Sequence, residues 1–64
     1  MRLTEFWERM ETRFGPRYAE SVARDQVLRQ LEGLTVVQAL AAGRSAKSVW
    51  RAVCDAFEIP VKER

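Results

Sequence analysis

Ser45-Ala46-Lys47-Ser48-Val49-Trp50-Arg51-Ala52-Val53-Cys54-Asp55-Ala56-Phe57-Glu58 is the stretch on which the fold turns. Ala46, Val49, Trp50, Val53, Cys54 and Phe57 recur at steps of three and four, so on an α-helix they share one apolar stripe. Lys47, Ser48, Arg51, Asp55 and Glu58 fall on the other side. Ser45 suits the N-cap, and the spacing predicts a helix over 46–58 that lays its stripe on a core. Pro60 prevents continuation. Ile59 and Val61 are expected to fold back onto the core, and residues 61–64 to fray.

Upstream, Gly43 stops a shorter helix that runs to Ala42 and opens on Thr35-Val36-Val37-Gln38. Thr35 and Gln38 have the spacing of a capping box, each side chain accepting from the other residue's backbone N–H. At the start of the chain Leu3, Phe6, Trp7, Met10 and Phe14 form a second stripe. That predicts a helix over 4–14 with Thr4 as N-cap, a Glu5–Arg9 pair one turn apart and a stop at Gly15. Pro16 suits the first turn of the next helix, whose apolar side is Tyr18, Ala19, Val22 and Ala23. At 100° per residue Val27, Leu31 and Leu34 point almost opposite to Tyr18 and Val22. A break is therefore favoured, with Asp25 capping a fresh helix through Glu32, although one helix packed on two sides is the alternative. No stretch alternates over several residues and no Asn-Gly or Asp-Gly turn occurs, so no strand is expected. The fold predicted is all-α: a compact bundle of four to five short helices forming one domain over 1–64, the last two arranged like a helix-turn-helix. Its core should contain Phe6, Trp7, Met10, Val49, Trp50, Val53 and Phe57.

Composition narrows the chemistry. A chain of 64 residues buries only about 60% of the surface its unfolded form exposes, so stability is marginal. The balance of 47% hydrophobic and 31% charged residues is that of a globular chain. One cysteine and no histidine leave no disulfide, no structural zinc site and no Cys–His or Ser–His catalysis. No metal, cofactor or membrane span is expected. The start of the chain, interrupted by Glu5, Glu8 and Glu11, is unlike a signal peptide, which points to the cytoplasm. The carboxylates are spread over solvated faces and caps, with no pair converging for acid–base work and no Gly-rich phosphate loop, so the chain reads as no enzyme. The aromatic residues belong to the core, with Tyr18 and one tryptophan left part-exposed as a mark of a partner surface. Cys54, one turn after Trp50, is expected to be a buried packing residue.

Two functional readings follow. The leading one is an interaction or regulatory module that binds an unidentified protein partner or self-associates. The alternative is duplex DNA. Thr35 to Val53 resembles a helix-turn-helix, with Ala39 at the close approach, Gly43 in the turn and Val49 inserted between the helices. Arg44 and Gln38 stand where that motif usually carries apolar residues. On this reading the helix 46–58 is the recognition helix, Lys47, Ser48 and Arg51 face outward, Arg44 and Ser45 lie near phosphate, and Asp55 and Glu58 oppose it at the far end. With three positive groups on that segment, useful affinity would require a dimer.

The opening Met1-Arg2-Leu3-Thr4-Glu5-Phe6-Trp7, the joint Phe14-Gly15-Pro16, the run Ser21-Val22-Ala23-Arg24-Asp25, the segment Ala39-Leu40-Ala41-Ala42-Gly43 and Val49-Trp50-Arg51-Ala52-Val53-Cys54-Asp55-Ala56 together resemble a short actinobacterial protein family, domain of unknown function 3046. The resemblance spans nearly the whole chain. It brings no catalytic or ligand residues with it.

Overall fold

Leu3–Phe14 forms α1, and its stripe buries Phe6 and Met10 completely while Trp7 and Phe14 pack at the margins. The structure, a computed structural model, describes all 64 residues. The helix begins one residue earlier than the capping pattern predicts. Arg2 is extended at the N-cap without a side-chain cap, and Thr4 lies inside the first turn. The Glu5–Arg9 pair does not form; Arg9 Nη1 donates instead to the main-chain oxygen of Arg64 at 2.7 Å. Gly15 closes α1 with an N–H bond to the Glu11 carbonyl at 2.8 Å and adopts φ +86°. That geometry lets Pro16 start α2 at once.

α2 spans Pro16–Asp25 and presents Ala19 and Ala23, one turn apart, to the core, with Tyr18 outward at 71% exposure. Small residues on that face let α1 and α2 lie close. The phase change beyond Val22 has a different cause from the one the periodicity suggests. Asp25 ends α2 rather than capping a new helix, and its carboxylate accepts from Ser21 Oγ at 3.3 Å. Where the periodicity predicts a helix through Glu32, Val27–Leu28 instead forms β1, antiparallel to β2 (Leu34–Thr35), with Val27 opposite Thr35 and Leu28 opposite Leu34. A 3₁₀ turn at Arg29–Leu31 leads to Glu32 and Gly33, both at positive φ, and the Gly33 N–H closes on the Leu28 carbonyl at 3.0 Å. The hairpin buries Leu28 and Leu31 and leaves Val27 in solvent. A straight helix from Asp25 would have had to choose one face for both groups.

Thr35 then makes the predicted capping box, with Gln38 N–H to Thr35 Oγ1 at 3.1 Å and Thr35 N–H to Gln38 Oε1 at 2.9 Å, and opens α3, Val36–Ala41. Its end has the full Schellman pattern. Gly43, at φ +94°, donates to the Leu40 carbonyl and Arg44 to the Ala39 carbonyl, both at 3.1 Å. Ser45 accepts from the Ser48 N–H at 3.1 Å and begins α4, Ala46–Ala56. α4 is two residues shorter than predicted because Glu58 turns left-handed at φ 52°, and the Ile59 N–H bonds the Cys54 carbonyl at 2.9 Å.

That reversal drives Ile59 into the core at 1% exposure, while Val61 stays in solvent at 82%. The tail, residues 61–64, lies against the end of α4. Val61–Glu63 makes a 3₁₀ turn, and the Arg64 side chain donates from Nε to the Ile59 carbonyl at 2.8 Å and from Nη1 to Asp55 at 3.4 Å. α4 is the central element. Val49, Trp50, Ala52, Val53 and Cys54 are buried, and Phe6 meets Trp50 edge-on at 6.1 Å between ring centres. Phe57, placed in the core by its periodicity, lies half-buried at the margin against Phe14 at 5.0 Å, and Trp7 is half-buried too. No helix is long and apolar enough to cross a membrane.

Candidate functional site

The five residues that the sequence nominates for nucleic-acid contact separate into two groups. Arg44 is drawn back to the hairpin, where Nη2 lies 3.2 Å from Glu32 Oε1, and the Ser45 hydroxyl is occupied in capping α4. Lys47, Ser48 and Arg51 are exposed on α4, and neither Lys47 nor Arg51 has a carboxylate oxygen within 4.0 Å. Lys47 and Arg51, one helical turn apart, join two cations from elsewhere. With Arg9 of α1 and Arg64 of the tail they line a depression of about 200 Å³ whose remaining walls are Met1, Trp50 and Cys54.

The placement of these four follows from packing. Phe6 docks α1 against Trp50, and that contact carries Arg9, three residues on, to the same side of α4. The main-chain oxygen of Arg64 accepts from Arg9 Nη1 at 2.7 Å and from Trp50 Nε1 at 3.4 Å, so the tail closes the depression from a third direction. Arg9 has no Asp or Glu oxygen within 4.0 Å, and the oxygen it meets belongs to the main-chain carboxyl group of Arg64. Arg64 shares its charge with Asp55 at 3.4 Å. Cys54 contributes a thiol whose pKa burial pushes up, against the opposing pull of Arg64 and Arg9, so it is protonated at neutral pH. A protonated thiol at 1% exposure is a packing group and not a nucleophile.

A second concavity lies on another side of the molecule. Trp7, Pro16, Ala19 and Val37 form the apolar part of a groove of about 330 Å³ between α1, α2 and α3, and Glu11, Glu20 and Arg24 complete its lining. Glu20 and Arg24 are bridged at 2.6 Å. Trp7 stands edge-on to Phe6 with ring centres 5.4 Å apart, and Val37 is 43% exposed. Leu3, one turn before Trp7, adds a further exposed apolar side chain at 53%.

The places of Arg9 and Arg64, and the groove that Trp7 and Val37 share, are not legible in the sequence. Arg9 looks like half of an intrahelical ion pair, and Arg64 belongs to a tail that local pattern marks as loose. The one available signal was the expectation that a domain this small leaves Tyr18 and one tryptophan uncovered; these are Tyr18 and Trp7. No group of three or more histidine, cysteine or acidic side chains is placed to hold a metal ion.

No curated protein and no solved structure matches the chain. Residues 1–62 match the model of the family described as Protein of unknown function (DUF3046), and with that match covering all but the last two residues the chain belongs to this family.

Proposed function

We propose that the protein is a cytosolic, non-catalytic interaction module that receives an apolar side chain of a partner protein in the groove between α1, α2 and α3. The observation that carries this reading is Trp7, which stays half-buried above the groove while its neighbour Phe6 is covered completely. Tryptophan in a partly desolvated hollow is the residue type that dominates binding energy when a partner covers it. Pro16, Ala19 and Val37 give the hollow apolar walls, and Glu11, Glu20 and Arg24 surround them with polar groups, the layout of an interface with a dry centre and a wet rim. About 330 Å³ lies at the small end of the roughly 300–1,000 Å³ typical of ligand sites, which suits a single anchor side chain presented by a helix.

Val37→Asp tests the proposal, because Val37 is 43% exposed and its replacement leaves the core intact. A photo-crosslinking side chain at position 37 identifies the partner in cells, and the purified partner is then titrated against both forms. Binding is expected to weaken at least tenfold in Val37→Asp with melting unchanged. Equal affinity of the two forms, or crosslinks as abundant from Tyr18 and Val61 as from position 37, would sink the groove as the binding site.

Duplex DNA is the second reading, favoured by one observation: Lys47, Ser48 and Arg51 all face solvent on α4. With Arg44 and Ser45 engaged locally, two cations remain on that helix, and binding should lose affinity with salt at a logarithmic slope of only about −1.8. Titrating labelled duplex at low salt decides it. Absence of binding at high micromolar protein, or binding indifferent to Lys47→Ala with Arg51→Ala, removes the reading.

A further inference from the structure

We infer that the depression between α1, α4 and the tail is a binding site for a compact polyvalent oxyanion of the diphosphate type, held by Arg9, Lys47, Arg51 and Arg64. This rests on neither functional reading above, since it uses a different face from the groove and two residues outside α4. Four cations from three separate parts of the chain line one hollow of about 200 Å³; no Asp or Glu side chain is among the residues that line it, and the main-chain carboxyl group of Arg64 is the acceptor that meets Arg9 at 2.7 Å. Asp55 offsets Arg64 from the edge at 3.4 Å, and Lys47 and Arg51 have no such partner. Lys47 and Arg51, one helical turn apart on α4, repel one another, and an anion bound beside them relieves the repulsion.

The cations are also partly pre-positioned. Arg9 is fixed by its bond to the Arg64 oxygen, and Arg64 by its bond to the Ile59 carbonyl, yet each guanidinium retains N–H donors beyond those bonds. Planar guanidinium groups match phosphate oxygens in pairs, and the Lys47 ammonium adds a point charge. Trp50, Cys54 and Met1 give the hollow an apolar wall, which strengthens charge interactions at its edge by excluding water. The arrangement converges on one spot. A nucleic-acid backbone presents charge along its length and is met by cations strung out to follow it, whereas a diphosphate concentrates its charge within one small volume. The remaining cavities lack these features. The seam lined by Glu8, Arg9, Thr12, Arg13 and Glu63 holds charges of both signs, with Arg13 and Glu63 3.9 Å apart.

The test is a ¹⁵N NMR titration of the full chain with pyrophosphate, orthophosphate and a short duplex at matched phosphate concentration and ionic strength. Pyrophosphate is expected to saturate and to move the signals of Arg9, Lys47, Arg51 and Arg64 selectively, with orthophosphate weaker. Arg51→Gln should weaken pyrophosphate at least tenfold, and Arg29→Gln, which removes the same charge from an exposed position elsewhere, by less than twofold. Equal losses in the two variants would show a response to net charge alone and overturn the assignment. Shifts spread over all arginines would do the same, as would duplex binding tighter than pyrophosphate with a steep salt dependence.

Discussion

Cys54 and Trp50 show how much two adjacent turns of α4 determine. The Cys54 thiol titrates above its ordinary 9.0 because burial disfavours the thiolate. The folded state therefore holds its proton to higher pH than the unfolded state does. The resulting stability is present in full below pH 9.0 and is lost as pH rises through the folded value. Melting followed from pH 7 to 10.5 should fall more steeply in the native protein than in Cys54→Ala, whose baseline is lower but flatter. Parallel curves would mean that the thiol is solvated. Labelling by a bulky thiol reagent should likewise be slow until denaturant is added. Trp50, 4% exposed and edge-on to Phe6, anchors α1 to α4. Trp50→Ala should cost about 3–5 kcal/mol by loss of contact and a residual cavity. In a chain this short that approaches the whole stability of about 3–10 kcal/mol expected at 0.05–0.15 kcal/mol per residue. Circular dichroism at 25 °C should show the variant largely unfolded, and an unchanged melting curve would contradict its place in the core.

At the level of elements, the joints between helices are set by glycine and by short polar side chains. Gly43 sits at φ +94° with nothing within 4 Å of where a Cβ would stand, so a substitution there meets strain without collision. Gly43→Ala should cost about 1–2 kcal/mol. Incorporating D-alanine at the same position, which favours this φ, should restore or exceed native stability, and chemical denaturation of the two synthetic chains measures the difference. If both cost the same, the turn is limited by packing and not by backbone handedness. Ser45→Ala removes the acceptor for the Ser48 N–H at the start of α4 and should cost about 1 kcal/mol. The hairpin is the element that local pattern misreads. Two-residue strands are too short to alternate, and its turn uses Glu32 at φ 56° in place of a glycine or asparagine. The phase change at Val27 was legible, but its meaning was not.

For the whole molecule, the buried cluster draws on all four helices, the hairpin and Ile59, which predicts that the chain unfolds as one unit. Tryptophan fluorescence and far-ultraviolet dichroism should report the same denaturation midpoint. Separate midpoints would divide the chain into independent parts. The sequence alone determined the extent of α1 to within a residue, the Gly15–Pro16 joint, the capping box at Thr35, the stop at Gly43, the Ser45 cap and the buried face of α4. Each of these rests on contacts between residues at most five apart, where side-chain spacing and backbone preference decide. Tertiary structure alone decided the rest. Whether residues 26–35 fold as helix or hairpin depends on the burial of Leu28 and Leu31. The tail is held because Arg64 reaches Arg9, Trp50, Asp55 and Ile59. Both concavities likewise arise from docking: Trp7 and Val37 line one groove, and Arg9, Arg64, Lys47 and Arg51 line one depression, only once α1 has packed on its neighbours. Local periodicity records which face of a helix is apolar, but not which charged or aromatic side chains a distant helix will bring beside it.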